Sequence, residues 1–436
     1  MPKASPNTPR SSGNGPRPST PREQLRLLLL PDIGLKRWVL AGAVGVLLVA
    51  LGSAFAVSVS VTSTIVNVGQ VLTLGHLLGG VARGAVLIGL GLVLAGIAAY
   101  RLNRRLAHGS AYAGRGGNAL AGLASHRERS GGPRVVTIGG GTGLSSLLRG
   151  LKERTDQVSA IVTVADDGGS SGRLRSELGI PPPGDARQCL VALAESEPLM
   201  EQLLAYRFDS EGSLGGHSLG NLLLAALVHT QGDLQGALEA AGQILGVRGR
   251  VMPSSLAADL HLMARTVSGR ELGGESAVGL SQEAIADIWL VPPGAGANLA
   301  AVEAIAQAQL IVLGPGSLYT SLLPNLLIQG IRDAVERARA PKVFVCNIAT
   351  QHGETDGLSA GEHLRVFIEH TGIRPTHFLV NSAPRPIPAQ FQQTPLTQEG
   401  PLAWFEGRVV RADVIDEGFP SRHDPRKLAA ALFSLP

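Results

Sequence analysis

Forty-four consecutive residues, Val39 to Ala82, carry no Asp, Glu, Lys or Arg, and this divides the chain before any motif is read. Trp38–Val61 is a 24-residue apolar stretch. At about 1.5 Å per residue it is long enough to cross a bilayer core of roughly 30 Å. Gly84–Tyr100 is a second uncharged run of 17 residues. Neither run has a polar face, which disfavours a pair of soluble helices. The long polar leader, with no small-residue cleavage site, disfavours a signal peptide. Lys36 and Arg37 precede the first run, Arg101, Arg104 and Arg105 follow the second, and the connection carries almost no charge. The positive-inside bias then places both ends in the cytoplasm. The expected organisation is a disordered Pro/Ser/Arg-rich leader over 1–35, a transmembrane hairpin over 36–105, a linker over 106–132 and a cytoplasmic domain over 133–436. The hairpin meets the inner membrane through residues 38–61 and 84–100.

The overall charge of +4 conceals two opposite halves. Residues 1–132 hold 14 Lys and Arg against 3 Asp and Glu, which leaves 24 basic and 31 acidic residues, a net −7, for 133–436. Basic residues flanking apolar spans suit anionic lipid. A −7 domain is a poor match for nucleic acid, where phosphate contacts supply most of the affinity. The two cysteines, Cys189 and Cys346, lie far apart in apolar contexts and read as reduced, packed thiols.

Short apolar runs recur in the cytoplasmic part: Val135–Ile138, Ala160–Val164, Leu310–Leu313, Val343–Cys346 and Phe378–Val380. Between them lie helical patterns at Leu190–Leu204, Leu222–His229 and Leu299–Ala308. Fully apolar strands alternating with helices predict an α/β fold: a Rossmann-like, mostly parallel sheet with helices on both faces. Residues 251–280 break the pattern and predict a small antiparallel excursion built from Val251-Met252, His261–Val267 and Glu271–Ala277. Ligands of such sheets sit outside the carboxyl ends of the strands.

Gly139-Gly140-Gly141-Thr142-Gly143 follows the first of these strands and precedes a helical run. Glycines there leave the backbone bare, so several N–H groups can face one anion at a helix's positive end. The turn has neither the dinucleotide fingerprint nor the Walker spacing. Phosphate seat and tight structural turn both fit it. Asp166-Asp167-Gly168-Gly169-Ser170-Ser171, with Arg173, follows the second strand. Its carboxylates suit a ribose hydroxyl, or a hard cation such as Mg²⁺ held by Asp166 and Asp167. Its hydroxyls and the Arg173 fork suit phosphate, against the alternative of a solvated acidic turn. Asp185 ends a triple-proline loop as either N-cap or ligand contact, and Arg187 sits where its charge opposes the helix dipole. His217 is a general base or a helix cap, followed by Ser218 and Asn221. Gly314-Pro315-Gly316-Ser317, with Thr320, repeats the physics of the first turn. Asn347 ends the next strand. The loop around Thr350–Gly357, with His352 and Glu354, is placed to close over the site.

GGGTGLSSLLRGLK, IVTVADDGGSSGRLR, GIPPPGDAR, GHSLGN and GPGSLYTSLLPNLL, in this order, resemble the YvcK-type gluconeogenesis factors, relatives of the CofD-type 2-phospho-L-lactate transferases. The resemblance covers about 135–415. It implies a nucleotide site in the crevice, formed by the glycine turns and the Asp, Ser, Arg, His and Asn residues named above. The YvcK-type branch implies a regulator that binds a UDP-sugar such as UDP-N-acetylglucosamine and adjusts cell-wall synthesis to carbon supply. Cell-wall synthesis proteins would be its partners, and a homodimer is compatible with it. The CofD-type branch implies a phospholactyl transferase with a guanosine diphosphate carrier and Mg²⁺ on Asp166 or Asp167, with His217 activating the acceptor hydroxyl. A tethered scaffold with a vestigial pocket is the third class. The membrane hairpin departs from relatives that begin almost at the glycine turn.

Overall fold

The computed structural model describes residues 36–56, 80–112, 129–195, 197–209, 212, 214–383 and 396–435. The leader, the connection between the apolar helices and most of the linker lie outside the described residues. The chain forms two compact units, Met1–Glu128 and Arg129–Pro436.

In the first unit, α1 (Lys36–Ala56) and α2 (Gly80–Tyr112) are both long and apolar enough to cross a membrane. They pack through glycines. A Cβ built on Gly45 would meet the Gly91 carbonyl oxygen at 2.8 Å, and one on Gly52 would meet the Gly84 carbonyl oxygen at 2.7 Å. Only bare backbone allows that approach, as in close helix pairs generally. Large apolar side chains point away from the pair, with Leu47 67% and Leu92 60% exposed.

The second unit is built on seven parallel strands: β1 (Val135–Gly139), β2 (Val158–Val162), β3 (Arg250–Pro253), β7 (Leu310–Leu313), β8 (Lys342–Val345), β9 (His377–Asn381) and β10 (Arg408–Ala412). Their order is β10-β9-β8-β7-β1-β2-β3. Val136 pairs with Ser159 on one side and Ile311 on the other, so β1 is an interior strand. β1 is buried along its whole length, as a strand covered on both faces must be. The helices around the sheet are α3 (Gly141–Leu151), α4 (Gly169–Leu178), α5 (Gly184–Leu193), α6 (Glu197–Ala205), α7 (Leu219–Gln231), α8 (Leu234–Leu245), α9 (Glu275–Gly279), α10 (Leu299–Ala306), α11 (Leu323–Leu327), α12 (Gln329–Arg337), α13 (Ala360–Thr371) and α14 (Pro425–Phe433). Gly150 of α3 lies directly against the Pro425 backbone of α14, which carries the C-terminal segment back to the first strand.

The antiparallel excursion is a three-stranded sheet, β5-β4-β6, of β4 (His261–Thr266), β5 (Glu271–Gly273) and β6 (Ile285–Val291). Val251-Met252 does not belong to it: those residues lie in β3, the parallel edge of the main sheet. Their burial on both faces is the physical reason. Residues 275–279 are helical. The helical run read over Leu190–Leu204 is two helices, because Pro198 is tolerated in a first turn but not in a helix interior. Arg411, on edge strand β10, bonds Glu399 at 2.6 Å.

The glycine contact between α1 and α2 is testable with the full chain in membranes. The Cβ built on Gly42 stands 3.6 Å from that of Ala98, within disulfide geometry. A Gly42→Cys/Ala98→Cys variant is expected to cross-link on mild oxidation, and adding Gly91→Leu is expected to abolish the cross-link. Equal cross-linking with and without that leucine would refute the packing.

Candidate functional site

The connections from β1 run outward to β2 and β3, while β7 continues outward through β8, β9 and β10. The boundary between β1 and β7 is therefore the topological switch point, where open α/β sheets hold their ligands. Both glycine turns lie there. They interlock: a Cβ on Gly143 would meet the Pro315 oxygen at 2.8 Å and the Gly316 nitrogen at 2.9 Å, and one on Gly316 would meet the Gly140 oxygen at 3.2 Å. Gly141 and Gly314 have φ of +60° and +82°, which favour residues without a Cβ. Two asparagines fix the pair. Asn325 donates to the Gly139 carbonyl at 3.1 Å. Asn347 accepts from the Gly316 N–H at 3.2 Å and donates to the Gly316 carbonyl at 2.8 Å.

Above the turns opens a crevice of about 320 Å³, lined by Gly140–Gly143, Ser146, Pro315–Ser317, Ser321, Asn347–Gln351 and Ser421–His423. The first-turn N–H groups of α3 have no intrahelical acceptor and carry the positive end of its dipole. Among the described residues no Asp or Glu lines the crevice. Arg422 does, with its guanidinium 5.5 Å from the Phe419 ring centre and no carboxylate partner among the described residues. His423 behind it is buried and bonds the Cys346 carbonyl at 3.1 Å. Burial pushes its pKa down to about 4, so it is neutral at pH 7. An electropositive, hydroxyl- and amide-lined crevice between two backbone turns is suited to an anion carrying polar groups, not to a bare cation.

A second polar cluster adjoins the first turn from the other side. Asn221, 3% exposed, donates to Ser170 Oγ at 3.1 Å and accepts from Arg187 Nε at 2.9 Å. His217, 2% exposed, places Nδ1 3.0 Å from Ser170 Oγ. Desolvation, with Arg173 next, lowers its pKa and favours the neutral ring. Arg173 donates to the Gly215 carbonyl at 2.7 Å. These bonds join the starts of α4, α5 and α7. Ser218 caps α7 by accepting from Asn221 N–H at 3.2 Å, so the cap role falls to Ser218 and not to His217.

Asp185 couples the cluster to the crevice. It lies inside the first turn of α5, whose N-cap is Pro183. Its carboxylate accepts from the Gly141 N–H of α3 instead and rests against Gly140, where a Cβ would collide with Oδ2. Desolvation, then the Asp166 carboxylate, raise its pKa to about 7 against the pull of Gly141 and Arg187. Glu275, desolvated and facing Asp166 and Asp185, is raised to about 9. Asp166 and Asp167 do not converge on one cation seat. Asp166 accepts from the Gly168 N–H at 2.8 Å and from Ser171, while Asp167 accepts from the Ser276 N–H and hydroxyl, each at 2.9 Å. No group of three or more metal-ligating side chains occurs among the described residues. The described residues therefore form no all-protein Mg²⁺ cage, whereas a Mg²⁺ held by one or two carboxylates and a ligand's phosphates would need no such group.

The residues read from the sequence thus fall into separate environments. Gly140, Gly141, Thr142, Gly143, Gly316, Ser317 and Asn347 line the crevice. Ser170, Ser171, Arg173, Arg187, His217, Ser218 and Asn221 belong to the adjoining cluster. Thr320 is buried and donates to Glu354 at 3.0 Å. Glu354 itself is buried, accepting also from the Tyr319 N–H at 3.3 Å, and burial raises its pKa to about 7. Through these bonds, and one from the crevice-lining Gln351 at 3.0 Å, it braces the second turn. Sequence reading missed Ser146, Ser321 and Ser421–His423. The signal for the last was an Arg-His pair just before Asp424-Pro425, a helix-start signature.

Comparison with known proteins agrees with this architecture. The family described as 2-phospho-L-lactate transferase CofD matches residues 135–402. A putative gluconeogenesis factor of Nostoc sp. is 40% identical over 421 residues, covering 93% of this chain and 91% of that protein. The gluconeogenesis factor of Bacillus subtilis is 42% identical, covering 70% of this chain and 98% of that protein. A crystal structure of a UPF0052 family member from Bacillus halodurans superposes with a TM-score of 0.66 at 42% identity, over 70% of this chain and 99% of that one. The Nostoc match is longer than the second unit can supply and so extends into the first.

The contact of Asp185 with the first turn generates two predictions. Gly140→Ala should destabilise the protein by about 1–3 kcal/mol through overpacking, and most of that loss should vanish in an Asp185→Ala background, measured as a double-mutant cycle of unfolding free energies. Asp185→Asn tests the raised pKa. An acid whose folded pKa exceeds its unfolded value loses stability as pH rises from about 4 through about 7. Asn cannot ionise, so the variant should gain on the parent across that window and hold the gain above it. The expected size is on the order of 2 kcal/mol, discounted because Asp185 is partly exposed. A difference flat between pH 4 and 8 would refute it.

Proposed function

The chain belongs to the CofD family and is similar throughout its second unit to gluconeogenesis factors, and on that premise we propose that it is a membrane-anchored regulator that binds a nucleotide-sugar of the UDP-N-acetylglucosamine class. It ties carbon metabolism to cell-wall synthesis and cell shape. The observation that carries this reading is the crevice lining: two interlocked backbone turns and Arg422, with no carboxylate among the described residues. The first-turn α3 N–H groups beyond Gly141, whose own N–H is held by Asp185, and the Arg422 fork grip the diphosphate. Thr350, Gln351 and Ser421 offer donors and acceptors to sugar and base. The acidic residues that a Mg²⁺-dependent transfer would use lie outside this lining, which favours binding over chemistry. α1 and α2 hold the domain at the inner membrane with both ends cytoplasmic, as their basic flanks direct.

Calorimetric titration of the full chain in detergent tests this. UDP-N-acetylglucosamine should bind equally well with and without Mg²⁺ and be recovered intact. Arg422→Ala should weaken it about tenfold, the loss of roughly 1.4 kcal/mol that a charge-assisted bond commonly supplies. Preference for GDP with an absolute need for Mg²⁺ would overturn the reading in favour of a phospholactyl-type transferase.

A further inference from the structure

We propose that the Trp38 end of the α1–α2 pair is a binding site for the phosphate of an anionic phospholipid headgroup, held between Arg37 and Arg101. This rests on the reading of the two helices as membrane spans.

Arg37 precedes Trp38 on α1, and Arg101 reaches the same indole from α2. Each guanidinium carbon stands 5.4 Å from the Trp38 ring centre. Cation–π contact accounts for one such approach. Two like charges gathered on one ring from two helices call for a counter-anion, and none of the described residues supplies one nearby. No Asp or Glu occurs from Ile33 to Arg127, and neither arginine makes an ion pair among the described residues. Trp38 adds a donor: its Nε1–H is buried and has no acceptor among the described residues, where a buried indole N–H ordinarily finds one. Arg104, exposed and one turn beyond Arg101, extends the positive surface. Trp38 lies in the first turn of α1, where helix N–H groups and the dipole also favour an anion.

Position selects lipid over a soluble phosphate ester. The charge-free stretch of α1 begins at Trp38, and that of α2 ends at Tyr100. The arginines therefore sit where the apolar surface stops. Leu40 and Tyr100 beside them are 67% and 64% exposed, a surface for acyl chains directly below a seat for the headgroup. Trp and Tyr at this level, with arginines just outside, match the membrane interface. The guanidinium fork suits phosphate better than an ammonium would.

The test uses the full chain in nanodiscs of phosphatidylcholine with a minority of phosphatidylglycerol, followed by native mass spectrometry of the lipid that stays bound on release. Phosphatidylglycerol should be retained in preference to phosphatidylcholine. Arg37→Ala/Arg101→Ala should reduce that preference about tenfold or more, Trp38→Phe less, and Arg83→Ala, towards the other end of α2, not at all. Unselective retention, an undiminished preference in the double variant, or displacement of the lipid by inorganic phosphate would each overturn the proposal. Alkaline extraction separates the two levels of failure. A chain released from membranes by alkali defeats the membrane reading itself, whereas a chain that resists alkali but shows no lipid preference defeats this site alone.

Discussion

The candidate site depends on a single close approach, that of the backbone of the first glycine turn to the second. With Gly143 against Pro315 and Gly316, and Gly316 against Gly140, β1 and β7 end in one doubled turn with no side chain between. This fixes where the α3 N-terminus points and makes the switch point an open crevice. Asn325 and Asn347 spend their amides on the turns. Asn347, which sequence analysis assigns to a ligand, is in part a fastener of the crevice floor.

Around that floor the charges are sorted. Carboxylates gather around the first turn, at Asp166, Asp185 and Glu275, and against the second at Glu354, where desolvation raises their pKa values. The crevice itself has Arg422, backbone N–H groups and neutral polar side chains. Protonation of Asp185 near neutrality limits the negative charge directly behind the Gly141 N–H. Buried polar networks are costly unless every member is paired, and the Ser170–His217–Asn221–Arg187 chain meets that condition while joining three helix starts.

The first unit follows different physics. Its helices present leucines and valines outward and glycines inward, the reverse of a soluble helix pair. A Nostoc relative matches across this unit, whereas the match to the Bacillus subtilis relative takes in nearly all of that protein within a length equal to the second unit. The apolar unit is thus an addition to a domain found without it.

Composition and period fixed much of this in advance. The two uncharged runs give the two apolar helices, and the apolar runs at Val135, Leu310 and Phe378 are strands of a parallel sheet, because a strand covered on both faces has no polar positions to alternate. The glycine turns were legible as turns, since few other residues adopt φ of +60° or +82°. What one dimension does not carry is which distant residues meet. Val251-Met252 reads as a stray hairpin until its edge position in the main sheet is known. Asp185 reads as the cap of its own helix or as a ligand contact, and its carboxylate bonds the start of α3. Arg422 lies nearly 280 residues from Gly143 in the chain, and only the packing of α14 on α3 brings them to one crevice. Local periodicity is set by backbone geometry and burial, which short segments encode. The meeting of turns, caps and clamps is set by strand order, which the sequence specifies only through the whole fold.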